Sequence, residues 1–302
     1  MTTRALQPSP GELLQLGGTR LFVRRTEHDG APPVVFVHGL GGASTNWTDL
    51  MGLIGAGADG YALDLPGFGQ SDPPTAGRYP LAVHVRAVVA LLESLSGPVQ
   101  LWGNSLGGVT ALRVAATRPD LVTSLVLVSP ALPDLHPRRG VDPRLALLLL
   151  PGLGRVAQRR MDEQDPVART RALLDYLYAD PSRVVEERVE EAAEELRRRS
   201  GLPYAGAAFT GSLRGLIASW AQRGGGSLWR QAPRISVPTL LLGGLADPLV
   251  APRVLRRAHT MIPGAELELW PDVGHVAQLE VPERVLTRWQ AWGGTRLEPV
   301  AR

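Results

Sequence analysis

The sequence predicts an α/β fold: a mostly parallel, eight-stranded sheet flanked by helices, with a helical lid inserted after the sixth strand. Short, unbroken apolar runs recur along the chain, and such runs are typical of strands buried on both faces of a parallel sheet. Helical segments separate these runs, as parallel strands require. A charge-rich helical stretch then interrupts the alternation. We therefore expect a core formed by residues 1–130 and 233–302 and a lid formed by residues 131–232.

The predicted strands begin with a hairpin. Glu12–Leu16 and Arg20–Arg25 flank Gly17-Gly18, a pair that favours a tight turn. Six further apolar runs, each ending in small residues or a turn, supply the rest of the sheet: VVFVHG at 34–39, YALDLPG at 61–67, VQLWGNS at 99–105, SLVLVSP at 124–130, TLLLGG at 239–244 and AELELW at 265–270.

The predicted helices alternate with these strands, most clearly at Leu81–Leu95, Leu106–Thr117 and Pro282–Trp292. In the lid, Arg183–Arg199 has apolar residues near helical spacing, with acidic residues early and arginines late, which matches the helix dipole. We interpret it as a solvated amphipathic helix with one packed face; a charged docking surface is the alternative. The arginine clusters of the lid are also interpreted as solvated, with a carboxylate-binding role for one of them left open: Arg138-Arg139, Arg159-Arg160 and Arg197–Arg199.

The composition excludes several chemistries. The 302 residues include no cysteine and no lysine, so all 32 Lys+Arg positions are arginine. Without cysteine there is no thiolate nucleophile or zinc ribbon, and without lysine there is no Schiff base or P-loop lysine. A nucleophile must therefore be Ser, Thr, Asp, Glu, His or Tyr.

The charge balance predicts neither a nucleic-acid nor a membrane protein. The 32 basic residues face 29 acidic ones, and the pI of 9.8 reflects arginine's high pKa rather than a basic patch. The first residues lack the apolar stretch of a secretory signal. The longest apolar run, LALLLLPGLG at 145–154, is too short to span a bilayer. We expect a cytoplasmic protein, with the monomer and the homodimer both left open.

The strongest local signal is Gly103-Asn104-Ser105-Leu106-Gly107, which follows a predicted strand and precedes a predicted helix. This is the G-x-S-x-G nucleophile elbow, in which a sharp turn presents the serine hydroxyl above the sheet. The flanking glycines let neighbouring backbone approach closely. The alternative is an ordinary Gly/Ser-rich turn. Ser105 is therefore the candidate nucleophile.

A serine needs a base and an orienting acid, and this elbow is followed by them in the order Ser, Asp/Glu, His. Asp247 follows the strand TLLLGG, and His275 follows the strand LELW. Asp247 could instead only start a turn at Asp247-Pro248, and His275 could be a surface-loop residue. Asp134, after the sixth strand, is a rival acid. The order and spacing favour Ser105, Asp247 and His275 as a catalytic triad.

Acyl transfer also needs donors for a developing oxyanion. We expect one from the backbone amide of Leu106, next to the nucleophile. The second is expected from the loop His38-Gly39-Leu40-Gly41-Gly42, with the amide of Leu40 as the candidate. His38 is interpreted as a structural residue that fixes this loop.

The chain resembles the α/β-hydrolase fold superfamily in its lid-bearing branch. The resemblance rests on five motifs in the family's order: HGLGG at 38–42, DLPGFGQSD at 64–72, GNSLGG at 103–108, GLAD at 244–247 and DVGH at 272–275. It implies a serine hydrolase that forms an acyl-enzyme at Ser105. We expect its substrate to be a carboxylic ester of small to medium size with an apolar acyl part. Residues that could line an apolar pocket, or pack the lid's own core, are 145–154, Tyr176, Tyr178, Tyr204 and Phe209.

Two alternative functions stay open. Asn104, beside the nucleophile, resembles carbon–carbon bond hydrolases that act on 2-hydroxy-6-oxo-dienoates. Against this, the oxyanion loop lacks that group's Ser-Gly-Pro-Gly-type sequence, and Val276 replaces its usual Trp. The other alternative is a non-catalytic ligand-binding receptor on the same fold, which has no need of His275 and Asp247.

No cofactor or metal is expected, and the predicted partner is a small-molecule substrate. Gly39-Leu40-Gly41 after a strand imitates a dinucleotide fingerprint, but the third glycine is missing at Ser44. The six histidines form no H-x-x-x-H or similar pair, which argues against a zinc site.

Overall fold

The sheet has eight strands, as predicted. A computed structural model describes residues 6–134 and 163–293. The strands follow the order β1-β2-β4-β3-β5-β6-β7-β8 in the sheet; β2 pairs antiparallel with β1 and β4, and all other pairs are parallel. Their bounds are β1 Gly11–Leu16, β2 Thr19–Arg25, β3 Pro33–Val37, β4 Asp59–Leu63, β5 Val99–Asn104, β6 Val122–Val128, β7 Thr239–Gly244 and β8 Glu266–Trp270.

Helices cover both faces of this sheet, which explains the unbroken apolar runs. Every residue of β5 and β7 is buried. One face packs against α2 (Leu81–Ser94), α3 (Leu106–Thr117) and the helix Pro252–Met261. The other face packs against α1 (Thr48–Ile54) and the helix Pro282–Trp292 through an aromatic cluster that contains Trp47, Trp102 and Trp289.

Four helices lie between β6 and β7 in the described part of the chain: α4 Pro166–Leu177, α5 Glu186–Ser200, α6 Ala205–Trp220 and α7 Leu228–Gln231. We call residues 163–232 the insert. After it come α8 (Pro252–Met261), the short α9 (Ala277–Glu280) and α10 (Pro282–Trp292). The apolar run at 145–154 and the arginine pairs at 138–139 and 159–160 lie outside the described residues.

Predicted and observed bounds differ by a few residues at two elements. The run at 61–67 ends its strand at Leu63, because the buried Asp64 carboxylate accepts hydrogen bonds from the amides of Ser44 (2.6 Å) and Gln70 (2.8 Å) and bends the chain away. The helix predicted at 183–199 begins at Glu186, because Val184 and Val185 are extended. In the described ranges, no helix combines the length and apolarity needed to cross a membrane.

Candidate active site

The turn between β5 and α3 has the strained geometry predicted for a nucleophile elbow. Ser105 has φ 54° and ψ −114°, a conformation that non-glycine residues rarely adopt. A Cβ at Gly103 would clash with the backbone of Gly107, and a Cβ at Gly107 would clash with the carbonyl oxygen of Val37. Both flanking glycines are therefore required by close backbone packing around Ser105.

His275 and Asp247 form a buried pair. The Nδ1 atom of His275 lies 3.0 Å from Oδ2 and 3.1 Å from Oδ1 of Asp247, and the two residues are 2% and 3% exposed. A carboxylate at this nitrogen favours the tautomer in which Nδ1 carries the proton and donates it, which leaves Nε2 as the basic nitrogen. The alternative of a surface-loop histidine is wrong for His275, because it is almost fully enclosed.

Asp247 also starts the turn that its Asp-Pro sequence indicated. Its role in this turn is compatible with its role as the acid that faces His275. Its Oδ1 accepts hydrogen bonds from the amides of Leu249 (2.7 Å) and Val250 (2.8 Å). Burial alone would raise the pKa of Asp247, but attraction to His275 and these hydrogen bonds bring that pKa below its usual value. Asp247 is therefore held as a carboxylate facing the imidazole.

The rival acid Asp134 forms an ion pair with an arginine. Its Oδ2 is 2.6 Å from Nη2 of Arg253, the second residue of α8. The carboxylate that the structure brings onto His275 is that of Asp247.

Asn104 connects the elbow to the loop that carries His275. Its Nδ2 donates to the carbonyl oxygens of Val128 (3.1 Å) and His275 (3.3 Å), and the residue is buried. The sequence singled out Asn104 only through its resemblance to one group of hydrolases. The structure gives it a positional role, because it ties the elbow to the backbone of His275.

The loop after β3 lies directly against the elbow. A Cβ at Gly39 would lie 3.2 Å from Cβ of Ser105 and 2.9 Å from Oδ1 of Asn104. Leu40 follows in this loop and is half-buried, and Leu106 is the fully buried first residue of α3. The two predicted oxyanion donors therefore belong to segments that flank Ser105.

His38 fixes this loop by hydrogen bonds. Its Nε2 accepts from the amide of Leu65 (3.0 Å), so its Nδ1 donates to the carbonyl oxygen of Gly39 (2.7 Å). Complete burial lowers the pKa of His38 to about 4, which keeps the ring neutral at physiological pH. A neutral histidine with both nitrogens bonded to backbone has the structural role that the sequence predicted.

Glu280 is a functional candidate that the sequence analysis missed. Its Oε2 accepts from the amide of Gly274 (2.7 Å), and its Oε1 accepts from the amides of Ala179 (3.0 Å) and Asp180 (3.1 Å) and from Nη1 of Arg183 (3.4 Å). The side chain is fully enclosed. Glu280 thereby joins the insert to the residue before His275; no signal in the sequence distinguishes it from a surface acid.

The insert also forms hydrogen bonds with the backbone of His275 and with the loop after β3. The amide of His275 donates to the carbonyl oxygen of Leu177, the last residue of α4 (2.7 Å). Near the oxyanion loop, Nη1 of Arg199 donates to the carbonyl oxygen of Gly41 (3.1 Å). The interpretation of residues 197–199 as solvated holds for Arg197 and is wrong for Arg199, which is buried against this loop.

The apolar residues proposed for a pocket have different surroundings. Tyr178 packs in a cluster with Leu174 and Val189 of the insert and Val276 of the core. Phe209 lies against Gly41, where a Cβ would be 3.0 Å from its ring.

Within residues 6–134 and 163–293, no group of three or more His, Cys, Asp or Glu side chains could hold a metal ion.

The comparison with protein families agrees with this architecture. The model of the alpha/beta hydrolase fold family matches residues 32–282. The chain therefore belongs to the alpha/beta hydrolase fold family, and it is a hydrolase.

Its relatives include hydrolases of different specificity. Esterase Rv0045c of Mycobacterium tuberculosis is 36% identical over 125 residues, which are 40% of this chain and 41% of that protein. The 2-hydroxy-6-oxononadienedioate/2-hydroxy-6-oxononatrienedioate hydrolase of Cupriavidus pinatubonensis is 27% identical over 262 residues, 83% of each chain. Among solved structures, a bacterial membrane phospholipase A has a TM-score of 0.75 and 23% identity, covering 96% of this chain and 87% of that chain.

Proposed function

We propose that this protein is a serine esterase that cleaves a carboxylic ester of a small to medium apolar substrate through an acyl-enzyme. Ser105 is the nucleophile, His275 the general base and acid, and Asp247 the residue that orients the imidazole. The amides of Leu40 and Leu106 bind the oxyanion. Residues 131–232 form a lid over this site.

The reaction proceeds in two balanced halves. Oγ of Ser105 attacks the acyl carbon while its proton passes to Nε2 of His275; the tetrahedral intermediate collapses, and His275 returns that proton to the leaving alcohol. Water then attacks the acyl-enzyme, giving one proton to His275, which passes it to Oγ as the carboxylic acid leaves. One ester and one water become one acid and one alcohol, with no cofactor consumed.

The observation that carries this proposal is the buried His275–Asp247 pair, of which the His275 loop is hydrogen-bonded to the elbow. Asp247 holds the proton on Nδ1, so Nε2 is the nitrogen that can accept the proton of Ser105. Asn104 bonds the backbone of His275 to the elbow, which fixes the base relative to the nucleophile. The partial likeness to an esterase supports the choice of substrate class.

A second candidate is a carbon–carbon bond hydrolase acting on 2-hydroxy-6-oxo-dienoates. It is supported by Asn104 beside the nucleophile and by the likeness to the hydrolase of Cupriavidus pinatubonensis. Val276 and the HGLGG loop depart from that group's sequence. The ester proposal therefore stands first.

Active-site labelling and a substrate panel test these functions together. A fluorophosphonate should label the wild type and not Ser105→Ala, and p-nitrophenyl esters of graded acyl length should be hydrolysed by the wild type alone. Failure of the probe to label the wild type would refute the nucleophile. Bleaching of a 2-hydroxy-6-oxo-dienoate with little ester hydrolysis would establish the second candidate. Ligand binding indifferent to Ser105→Ala, with neither turnover, would indicate a receptor.

A further inference from the structure

Arg199 is a buried cation beside the oxyanion loop. It lies on α5 near the end of that helix and is 8% exposed. Its Nη1 donates to the carbonyl oxygen of Gly41 (3.1 Å), and its guanidinium carbon lies 4.9 Å from the centre of the Phe68 ring. The guanidinium is therefore fixed on one side by backbone and on one face by an aromatic ring.

No carboxylate among the described residues lies within ion-pair distance of the Arg199 guanidinium, although the charges of Glu195 and Asp64 act on it from further away. The neighbouring acid, Glu195, is bonded to Arg198 instead (2.7 Å). Nη1 makes the only hydrogen bond of the Arg199 side chain within the described ranges, and Nε is enclosed with none. Buried arginines are ordinarily paired, because an unpaired buried charge or N–H group is costly.

The unpaired edge of the guanidinium has the geometry that carboxylates use. Because Nη1 is committed to Gly41, the edge formed by Nε and Nη2 is left, and a carboxylate can accept two parallel hydrogen bonds from such an edge. Nε is enclosed by its neighbours, so binding of a carboxylate to this edge requires the enclosing residues to move.

Arg199 lies beside the loop that carries the proposed oxyanion donor Leu40. Gly41, which Arg199 contacts, directly follows Leu40. The charge of Arg199 also contributes, after burial, to the lowered pKa of His38 in the same loop. A second buried donor is nearby: the hydroxyl of Tyr79 has no hydrogen-bond partner in the part of the chain that the structure describes. Burial raises the pKa of Tyr79 to about 12, and the charge of Arg199 opposes this rise.

We propose that Arg199 is a specificity-determining residue that binds a carboxylate of the substrate, so that the ester cleaved at Ser105 is the half-ester of a dicarboxylic acid. This inference rests on the proposed esterase function. A single guanidinium matches a single negative charge, and the buried Asp64 and the partly buried Glu195, whose charges act on Arg199, disfavour a dianion. The apolar acyl chain then connects the reacting carbonyl to an anionic end.

Matched esters measure this preference. Monomethyl succinate, glutarate and adipate are compared with methyl butanoate, pentanoate and hexanoate, in which a methyl group replaces the carboxylate; acid release is followed by pH-stat titration. For at least one chain length, the wild type should prefer the half-ester about ten- to hundredfold in kcat/KM, the effect of one charged hydrogen-bond pair. Neutral esters preferred at every length would overturn the inference.

Variants assign the preference to Arg199. Arg199→Gln should abolish the ratio between half-ester and neutral ester, and Arg199→Lys should keep part of it through its charge. Arg197→Gln is the matched control, because Arg197 lies on the same helix, is exposed and pairs with Glu194 (3.0 Å); it should keep the full ratio. An unchanged ratio in Arg199→Gln would refute the assignment.

A binding measurement separates this inference from the esterase proposal. Calorimetric titration of Ser105→Ala with monomethyl glutarate should detect binding that is about ten- to hundredfold weaker in Ser105→Ala/Arg199→Gln. If no ester is turned over but this difference is found, the esterase proposal fails and the carboxylate site stands. Equal affinity in the two variants, or no binding to either, overturns the carboxylate site whether or not esters are hydrolysed.

Discussion

The insert contacts the core at two junctions that differ in how completely their polar groups are paired. At the Glu280 junction, residues 177–183 meet residues 272–280, and both oxygens of a buried carboxylate are hydrogen-bonded. At the Arg199 junction, Arg199 and Phe209 contact Gly41 of the proposed oxyanion loop, and the buried Nε of Arg199 has no hydrogen-bond partner among the described residues. A fully paired junction defines its geometry without a ligand, whereas an incompletely paired one gains stability when a ligand completes it.

The difference assigns separate tasks to the two junctions. The Glu280 junction holds the backbone of the proposed base, since the amide of Gly274 donates to Glu280 and the amide of His275 donates to the carbonyl oxygen of Leu177. We therefore expect it to position His275. The Arg199 junction contacts the loop that we propose faces the substrate carbonyl, and we expect it to select the substrate.

The largest predicted effect is that of Glu280→Gln. One carboxylate oxygen becomes an NH₂ donor, which must face either the amide of Gly274 or the amides of Ala179 and Asp180. Two donors then oppose each other in an enclosed site, and we expect a loss of about 3–5 kcal/mol in the free energy of unfolding, measured by urea denaturation. kcat/KM should fall about a hundredfold as His275 shifts.

Glu283→Gln is the control for that substitution. Glu283 is an exposed residue of α10, and its replacement should change the free energy of unfolding by less than about 0.5 kcal/mol. A Glu280→Gln protein as stable and as active as this control would show that the Glu280 junction does not position the base.

Two glycine substitutions compare the junctions directly. A Cβ at Gly274 would clash with the carbonyl oxygen of Leu177 and lie 2.8 Å from the amide nitrogen of Ala179, both backbone atoms that cannot move alone. Gly274→Ala should therefore cost about 3 kcal/mol in unfolding free energy. At Gly41, where φ is +81°, the nearest atom is 3.0 Å away on the movable ring of Phe209, and Gly41→Ala should cost about 1–2 kcal/mol, chiefly from backbone strain.

Thermal and urea unfolding of the two alanine variants provide the measurement. Equal costs would contradict the view that the Glu280 junction is the more rigid of the two. A larger cost at Gly41 would reverse the comparison.

The parts of this molecule that were predictable from sequence are those encoded locally. Unbroken apolar runs predict six of the eight strands, because burial in the sheet removes the need for polar residues, and the Gly17-Gly18 turn predicts the hairpin of the other two. The glycines around Ser105 predict the elbow because close backbone packing there excludes a Cβ. Ser105, Asp247 and His275 each come after the end of a different parallel strand, and the carboxyl ends of parallel strands lie at the same edge of the sheet.

The two junctions could not be predicted because they depend on distant parts of the chain. Glu280 becomes a buried acceptor only when the amide of Ala179, 101 positions away in sequence, folds onto it. Arg199 follows Arg197 and Arg198 in a charged helix, and nothing local distinguishes it from the exposed Arg197. The position of β4 between β2 and β3 is likewise a property of chain crossover, not of composition.

A third contact between insert and core should make stability depend on pH. Nε2 of the buried His84 in α2 lies 2.9 Å from Oγ of Ser212 in α6. Burial lowers the pKa of His84 to about 3 from 6.5 in the unfolded chain. Below pH 6.5 His84 is protonated in the unfolded chain but stays neutral in the folded protein, so protonation favours unfolding. The contribution of neutral His84 to the free energy of unfolding is therefore complete near pH 7 and is lost as pH falls towards 3.

His84→Phe tests this expectation because it keeps a ring in the cavity and removes the titrating group. Between pH 7 and pH 5 the wild type should lose about 2 kcal/mol of unfolding free energy that the variant keeps. Urea midpoints at intermediate pH values give the difference. Parallel pH profiles for the two proteins would exclude His84 as the source.

The smallest predicted effect concerns the ionic part of the Glu280 junction. Arg183 bonds to Asp272 (2.8 Å) and approaches Glu280 (3.4 Å), but its side chain is 28% exposed. Arg183→Gln should therefore cost about 1 kcal/mol in unfolding free energy, because partly exposed ion pairs contribute little. Arg284→Gln is the matched control, since Arg284 also pairs with Asp272 and makes no bond to Glu280 among the described residues. If Arg183→Gln were as costly as Glu280→Gln, the ion pair would be the main stabilising contact of the Glu280 junction. A small cost means that the backbone amides of Ala179, Asp180 and Gly274 hold the carboxylate of Glu280. The fold of the insert itself then sets the position of His275.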